Sequence, residues 1–361
     1  MSRLRVLMTA DTLGGVWTYA LELTRALPAI DFALATMGAP ITSEQRAEAS
    51  QLDNVTFFPS SYALEWMNDP WPEVDRAGAW LRQIASEFQP DLVHLNGYAH
   101  AALEWNVPVI VVAHSCVWSW WRAVKGTDAP AAYGEYQRRV TSGLRAADLV
   151  LAPTAAMLSA LRSEYDFATG TRVVPNARDP RAFKPAAKQP FIFSAGRLWD
   201  EAKNLAALDV VAPRLRWPIE VAGEILHPNG EAQQPAHVRS LGRLTNAQLA
   251  DRLSATSIYA LPARYEPFGL SALEAGLSGC ALVLGDIPSL REVWADAAIF
   301  VDPDNHDALS DALSDLIRND EKRAEFAKRA ERRAREFSPL RMAAGYRSAY
   351  AECLDRSKVA A

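Results

Sequence analysis

The strongest constraint on the fold is an alternation of short apolar runs with helical patterns, which occurs in two successive series. In the first series, apolar runs such as Arg5–Ala10 and Val107–Ala113 are separated by amphipathic stretches such as Val16–Leu27. The second series begins at Phe191–Ala195 and ends with Ala298–Val301. Because parallel strands need long crossovers between them, this alternation predicts βαβ units and doubly wound parallel sheets.

A proline-rich segment separates the two series. Residues Pro175–Pro190 contain four prolines in sixteen positions, a composition typical of a linker. We therefore predict two Rossmann-like α/β domains facing across a cleft. A C-terminal helix follows them, with a return to the first domain as one alternative. The predicted boundaries are 1–175 for the first domain, 176–190 for the linker, 191–337 for the second domain and 338–361 for the helix.

Composition excludes several classes of protein. The net charge of −5 gives no bias toward nucleic acid, so we expect no nucleic-acid partner. Cys116, Cys280 and Cys353 lack the spacing of a metal site or a disulfide framework, and no histidine cluster suggests metal binding. The first residues lack the apolar stretch of a signal peptide, and no run approaches the ~18 apolar residues of a membrane span. These features predict a cytoplasmic protein.

The segment Arg264–Gly279 carries the clearest candidate site. Pro267 suits the first turn of a helix, and Gly269 lets the backbone approach a ligand closely. Amides at a helix N-terminus suit phosphate. Glu266 in the turn and Glu274 about two turns along the helix suit hydroxyl groups. A sugar nucleotide has both kinds of group, whereas the alternative is an ordinary strand–helix turn with two solvated glutamates.

Two cations are predicted at the same edge of the second sheet. Arg197 and Lys203 follow the predicted strand at its carboxyl end, where ligands bind in such sheets. Fixed cations stabilise the charge that a diphosphate leaving group gains as its bond breaks, without a metal. The alternative is that both pair with nearby acids such as Asp200 or Glu201.

Taken in order, these motifs resemble those of the retaining GT-B glycosyltransferases of glycosyltransferase family 4. The resemblance covers nearly the whole chain and rests on these segments: Gly14-Gly15, Pro175-Asn176, Gly196-Arg-Leu, Lys203-Asn204, Leu241-Gly-Arg-Leu244, Glu266-Pro-Phe-Gly, Glu274-Ala and Glu292-Val. The two glutamates with seven residues between them, placed after the Arg/Lys turn, are the most specific part.

The resemblance implies roles for the matching residues of the second domain. Arg197 and Lys203 would hold the donor diphosphate, Glu266 would bond the transferred sugar, and Glu274 would accept hydrogen bonds from the ribose. The amides that would contact the sugar or the distal phosphate are those around Phe268, Gly269 and Leu270.

In the first domain the resemblance implies fewer contacts. Gly15 would let the first loop approach the donor and the acceptor. His114, at the end of a buried strand, would hydrogen-bond a sugar hydroxyl or the acceptor; the alternative is a satisfied core histidine. Asn96 and Tyr98 are weaker acceptor-side candidates.

The segment Val117–Lys125 is rich in tryptophan and keeps three interpretations open. Trp118 and Trp121 are acceptor-side candidates if the segment is a lid that stacks on a sugar. With Arg122 beside them, the aromatics could also form an interfacial segment, which would add peripheral contact with the inner face of the membrane. The third interpretation is a piece of the core.

The chain departs from the family pattern at two places that matter here. Asn176-Ala177-Arg178 stands where Asn-Gly and an apolar residue are usual, and Ile287–Arg291 replaces a glycine-rich turn, adding bulk near the expected sugar end of the pocket. A polar insertion, Gly223–Pro235, is predicted to shape the nucleotide side.

The resulting hypothesis is a retaining, metal-independent glycosyltransferase. It would move a sugar from a nucleoside-diphosphate sugar, its substrate, to a hydroxyl of a glycan, glycolipid or small molecule, with no cofactor. This chemistry is typical of polysaccharide biosynthesis. The alternatives are a sugar phosphorylase or epimerase on the same fold, and a non-catalytic sugar or nucleotide binding protein. A nicotinamide-dependent dehydrogenase is disfavoured because neither domain carries the Gly-x-Gly-x-x-Gly fingerprint.

Overall fold

The computed structural model of the chain describes residues 3–226 and 235–360. The chain divides into two compact units. The first unit contains the chain up to Arg122, Thr127–Asn176 and the chain from Pro339 onward, and the second contains Ala123–Gly126 and Ala177–Ser338. Most of the polar insertion Gly223–Pro235 lies outside the described residues, so its role stays a prediction.

The first unit is built on a seven-stranded parallel sheet. Its strands are β1 Leu4–Asp11, β2 Ile30–Met37, β3 Val55–Pro59, β4 Leu92–Leu95, β5 Val109–Val112, β6 Leu149–Ala152 and β7 Thr171–Val173. They lie in the order β3-β2-β1-β4-β5-β6-β7. After β1 the chain adds β2 and β3 on one side of it, and then β4 to β7 on the other side. The carboxyl ends of β1 and β4 are therefore a topological switch point, where such sheets bind ligands.

Helices connect these strands. They are α1 Gly15–Ala26, α2 Ser43–Ala49, α3 Trp71–Phe88, α4 Val117–Lys125, α5 Gly134–Ala146 and α6 Ala155–Glu164. Helix α2, which the sequence analysis did not predict, begins with a capping box in which Thr42 and Gln45 bond each other's backbone amides. The tryptophan-rich segment is helix α4, of which residues from Ala123 onward group with the second unit.

The second unit is built on a six-stranded parallel sheet. Its strands are β8 Gln189–Ala195, β9 Ile219–Ala222, β10 Arg239–Ser240, β11 Thr256–Leu261, β12 Ala281–Gly285 and β13 Ile299–Val301, in the order β10-β9-β8-β11-β12-β13. Its helices are α7 Leu205–Val211, α8 Asn246–Ala255, α9 Leu270–Leu277, α10 Pro288–Trp294, α11 His306–Arg318 and α12 Asp320–Ala334.

Both faces of the second sheet are buried. Along β8, Phe193 packs into a core that includes Trp294 and residues of α9 and α12, whereas Ile192 packs into a core with α7 and α11. This follows from the two-residue period of a strand, which directs successive side chains to opposite faces. Helices on both faces explain why the strands read as apolar runs rather than as alternating patterns.

The last helix, α13 Pro339–Ala360, belongs to the first unit. Its Tyr346 and Tyr350 are at most 1% exposed. Tyr346 contacts Tyr19 of α1, with ring centroids 5.9 Å apart, and stacks on His94 of β4 at 5.4 Å. Within the described part of the chain, no helix is long and apolar enough to cross a membrane.

Candidate active site

Asn204 ties together three loops at the carboxyl edge of the second sheet. Its side-chain amide donates to the carbonyls of Pro262 (3.0 Å) and Pro303 (2.8 Å), which follow β11 and β13. The residue is buried and adopts a left-handed conformation with φ of 57°. Asn204 therefore separates a short 3₁₀ turn, Glu201–Lys203, from α7. The sequence motif Lys203-Asn204 gave no indication of this role.

Helix α9 begins later than its sequence predicts. Its first residue is Leu270, and Gly269 precedes it with φ of 89°, a conformation that favours glycine. Pro267 therefore lies in the turn before the helix and does not begin it. Glu274 is the fifth helical residue, so it lies a little more than one turn from the start, not two.

Glu266 and Lys203, both predicted to be catalytic, are brought into direct contact. Lys203 Nζ donates to Glu266 Oε2 at 2.6 Å, and each side chain is 14% exposed. Glu266 Oε1 accepts from the Gly269 amide at 3.0 Å. The carboxylate thus lies between a cation and the N-terminus of α9. The Gly269 N–H, which was expected to contact the sugar or the distal phosphate, is bonded to Glu266 instead. Phe268 is buried, and its amide lies 3.5 Å from the same Glu266 oxygen.

Arg197 lies on the turn after β8, as predicted. Its guanidinium contacts Asp200 at 3.1 Å and lies 5.3 Å from the centroid of the Trp199 ring. Pairing with Asp200, the alternative raised from the sequence, therefore holds for Arg197, whereas Lys203 pairs with Glu266. A guanidinium carries five N–H donors, so one carboxylate partner leaves capacity for a phosphate. The Arg197 side chain is 37% exposed.

Glu274 is buried next to Arg178, which was noted above only as a departure from the family pattern. Its Oε1 lies 2.7 Å from Nε of Arg178. The Arg178 guanidinium also lies 5.0 Å from the centroid of the Phe183 ring. No sequence signal pairs these residues, because they are brought together only by the fold of the second unit.

The segment Ile287–Arg291, which departs from the family pattern, forms the start of α10 and packs against the Glu266–Gly269 turn. The Ser289 hydroxyl donates to the Glu266 carbonyl. Leu290 is fully buried, and Arg291 forms an ion pair with Asp286. The added bulk of Leu290 therefore lies in the core beneath the Glu266–Gly269 turn, rather than in an open pocket.

In the first unit, His114 is held by Asn96. Asn96 Nδ2 donates to the Thr9 carbonyl at 2.6 Å, which turns its Oδ1 toward His114 Nε2 at 2.8 Å. This network assigns the proton to Nε2 and leaves Nδ1 as an acceptor. The ring also packs edge-on against Tyr19, at 4.5 Å between centroids. Burial, assisted by His94, lowers the pKa of His114 to about 3, so the imidazole is neutral at physiological pH.

Asn96 also contacts His94, which lies in the core of the first unit. Asn96 Oδ1 lies 3.3 Å from His94 Nε2, and Nδ1 of His94 lies 2.7 Å from the Tyr350 hydroxyl. Burial lowers the pKa of His94 to about 3. Asn96 therefore contacts both His114 and His94, and His94 in turn contacts the C-terminal helix through Tyr350. Nothing in the sequence indicated this role.

The structure separates the remaining acceptor-side candidates. Tyr98 is 3% exposed and its hydroxyl donates to the Ser115 carbonyl at 2.7 Å, so its prediction as an acceptor contact is corrected to a core position. Trp118 and Trp121 are half-buried on α4. Among the described residues, Nε1 of Trp118 is buried and has no hydrogen-bond partner.

Two further predictions concern the first unit. Gly15 is exposed and is the first residue of α1, whose first turn has no side-chain cap among the described residues. Its amides are therefore placed as an anion site requires. Arg122, a cation of the interfacial interpretation of α4, forms ion pairs with Glu164 (2.6 Å) and Asp128 (2.8 Å).

No group of three or more His, Cys, Asp or Glu side chains that could hold a metal ion occurs within residues 3–226 and 235–360. The three cysteines are buried and unbridged.

Two family models of glycosyltransferases match successive parts of the chain. A family model described as Glycosyltransferase Family 4 matches residues 13–182, and one described as Glycosyl transferases group 1 matches residues 176–333. A D-inositol 3-phosphate glycosyltransferase from Xylanimonas cellulosilytica is 28% identical over 95% of this chain and 93% of that protein.

Solved structures support the fold. A sucrose-phosphate synthase from Thermosynechococcus elongatus superposes with a TM-score of 0.78 at 15% identity, over 97% of this chain and all of that one. The Anabaena protein HepE, solved in complex with UDP-glucose, gives a TM-score of 0.74 at 16% identity, over 98% of this chain and all of that one.

These matches confirm the predicted GT-B fold and the prediction of an enzyme, and they set aside the non-catalytic binding protein. The chain is therefore a glycosyltransferase of the GT-B fold and of the hexosyltransferase class, similar to family 4.

Proposed function

We propose that the enzyme transfers a hexosyl unit with retention of anomeric configuration and without a metal ion. The Lys203–Glu266–Gly269 contact set carries this proposal. Both carboxylate oxygens of Glu266 are already engaged, one by a cation and one by a helix amide. A carboxylate held in this way suits hydrogen bonding to sugar hydroxyls better than attack on the anomeric carbon.

Retention without a protein nucleophile requires attack on the same face as departure. The acceptor oxygen forms a bond to the anomeric carbon while the bond from that carbon to the phosphate oxygen breaks. The acceptor proton passes to the departing phosphate oxygen. Arg197 and Lys203 would stabilise the negative charge that develops there.

The other residues would bind and orient the substrates. Glu274 would accept hydrogen bonds from the ribose. Glu266 would accept them from the sugar on the lone pairs that Lys203 and the Gly269 amide leave free. The Leu270 amide would contact the sugar or the distal phosphate. In the first unit, neutral His114 would accept a hydrogen bond at Nδ1 from a sugar or acceptor hydroxyl. Gly15 would let the first loop approach both substrates.

The acceptor is proposed to be a hydroxyl of a glycan, glycolipid or small molecule. One relative is named a D-inositol 3-phosphate glycosyltransferase, which makes a polyol phosphate the first acceptor to test. Peripheral contact of α4 with a membrane remains a proposal, supported by half-buried Trp118 and Trp121.

The decisive experiment determines the anomeric configuration of the product by NMR spectroscopy. The enzyme is incubated with a panel of UDP-, GDP- and ADP-hexoses and candidate acceptors, and the glycoside is examined directly after transfer. We expect the configuration of the donor. An inverted product, or a covalent sugar trapped on Glu266, would overturn the proposed mechanism.

A further inference from the structure

A buried ion pair joins Glu274, the proposed ribose ligand, to Arg178, a cation to which the proposed mechanism gives no role. Nε of Arg178 lies 2.7 Å from Oε1 of Glu274, and the two side chains are only 9% and 8% exposed. Arg178 is the second residue of the long segment of the second unit, and Glu274 lies on α9. The pair therefore joins the start of that segment to the helix that carries the site.

A carboxylate that is withdrawn from water needs a cation or hydrogen-bond donors nearby. Arg178 supplies the cation, and its own position is fixed by the Phe183 ring beneath it, 5.0 Å from the guanidinium carbon. Because the contact is made through Oε1, it restricts the rotation of the Glu274 carboxylate. A carboxylate has about four lone-pair sites, so it can bind this cation and ribose hydroxyls at the same time.

The identity of residue 178 decides whether Glu274 has this charged partner. An apolar side chain cannot restrict a carboxylate through a charge-assisted contact. The orientation of Glu274 in this enzyme therefore depends on a residue outside the Glu266–Glu274 motif.

We propose that Arg178 is a positioning residue for nucleotide recognition, which holds the Glu274 carboxylate in the orientation that accepts hydrogen bonds from the ribose hydroxyls of the donor. This inference rests on the proposed role of Glu274. In this role Arg178 acts through the Glu274 carboxylate, so its removal weakens only the part of nucleotide binding that comes from the ribose hydroxyls.

The test compares ribonucleotides with analogues that lack the hydroxyls. The affinities of UDP, GDP and ADP for the full-length enzyme are measured by isothermal titration calorimetry, and the tightest is compared with its 2′,3′-dideoxy analogue. Arg178→Leu is expected to weaken binding of the ribonucleotide about tenfold and to change binding of the dideoxy analogue less than twofold. In steady-state assays the same variant is expected to raise the donor KM with little change in kcat.

Two further variants keep the comparison interpretable. Arg178→Gln removes the charge at nearly constant size, and it is judged by the same criteria if the leucine variant does not fold. Arg252→Leu is the matched control, because Arg252 Nε lies 2.6 Å from the buried carboxylate of Glu220 on β9. This control is expected to bind both nucleotides as the wild type does.

Two results would overturn the inference alone. One is an equal loss of affinity for both nucleotides in the Arg178 variants, which would indicate general distortion of the site. The other is a wild-type preference for the ribonucleotide that the variants retain. If the wild-type enzyme binds none of the three nucleoside diphosphates, the proposed function itself fails, and this inference fails with it.

Discussion

Lys203 Nζ lies 2.6 Å from Glu266 Oε2, although 63 positions separate the two residues in sequence. One arrives on the turn that follows β8 and the other on the turn that precedes α9. The loops that carry them are linked directly, since the Arg264 amide donates to the Ala202 carbonyl at 2.9 Å. The residue that is proposed to bind the donor phosphate is therefore in direct contact with the residue that is proposed to bind the sugar.

Replacing either cation is expected to slow turnover more than it weakens donor binding. Lys203→Ala and Arg197→Ala each remove a charge that would face the departing diphosphate, and a loss of about 10²-fold in kcat is expected for one such group. Stopped assays at saturating donor measure it. Lys322→Ala, on α12, removes a lysine that pairs with Asp315 on the surface, and should leave kcat unchanged. Full turnover in both site variants would contradict the assignment.

Chelation provides an independent check on the source of leaving-group stabilisation. If Arg197 and Lys203 supply it, excess EDTA should leave the rate of transfer within about twofold of the untreated rate, and added Mg²⁺ or Mn²⁺ should not restore or raise it. The assay is run on protein dialysed against chelator. A loss of activity that a divalent cation reverses would show that the two side chains are insufficient.

Gly269→Ala is expected to destabilise the second unit. The residue has φ of 89°, and an added Cβ would lie 3.2 Å from Leu290 Cδ2. A non-glycine residue in this region costs about 1–2 kcal/mol, and the tight contact adds to that. Urea unfolding followed by tryptophan fluorescence measures the loss.

Gly134→Ala is the control for Gly269→Ala, because Gly134 is the first residue of α5. Apart from its chain neighbours and the backbone of its own helix, no described heavy atom lies within 4 Å of its added Cβ. A change of less than about 0.5 kcal/mol is expected there, as at other unconstrained surface sites. Equal destabilisation by the two substitutions would remove the case for strain at the start of α9.

Acid should destabilise the first unit through His94, which is fully buried, and His114, which is half-buried. Burial lowers the pKa of both His94 and His114 from the ordinary 6.5 to about 3. Below pH 6.5 the unfolded chain therefore binds protons that the folded chain does not bind. The stability that depends on the neutral rings is present in full above pH 6.5 and is lost as the pH falls toward 3.

The slope of stability against pH measures this effect. Each histidine should contribute about 1.4 kcal/mol per pH unit well below pH 6.5. His114→Asn should reduce the slope between pH 6 and pH 4.5 by about that amount, in urea titrations at several pH values. An unchanged slope would show that His114 is protonated in the folded protein.

The strands were predictable because a strand that is buried on both faces consists almost entirely of apolar residues. The run Arg5–Ala10 lies within β1, and Phe191–Ala195 within β8. Helix ends were less predictable. The start of α9 is set by the left-handed conformation of Gly269, and the local sequence fits Pro267 as a first residue equally well.

Partners of buried charges were not predictable at all. Glu274 was assigned correctly to α9, yet its pairing with Arg178 depends on how the start of the second unit's long segment packs against that helix. The same holds for His94 and Tyr350, whose contact at 2.7 Å spans most of the chain. Local propensity contains no information on such pairs, because only the completed packing brings their atoms together.

The placement of α13 has a consequence for the order of synthesis. The ribosome releases the N-terminal half of the chain long before Tyr346 and Tyr350 exist, so Tyr19 and His94 emerge without the rings that finally cover them. The first unit can complete its core only when the last helix has been translated. A nascent chain of this enzyme must therefore keep its N-terminal half receptive to a segment that is translated only after Ala177–Ser338 of the second unit. A premature stop codon ahead of Tyr346 would leave that half without the rings that cover Tyr19 and His94.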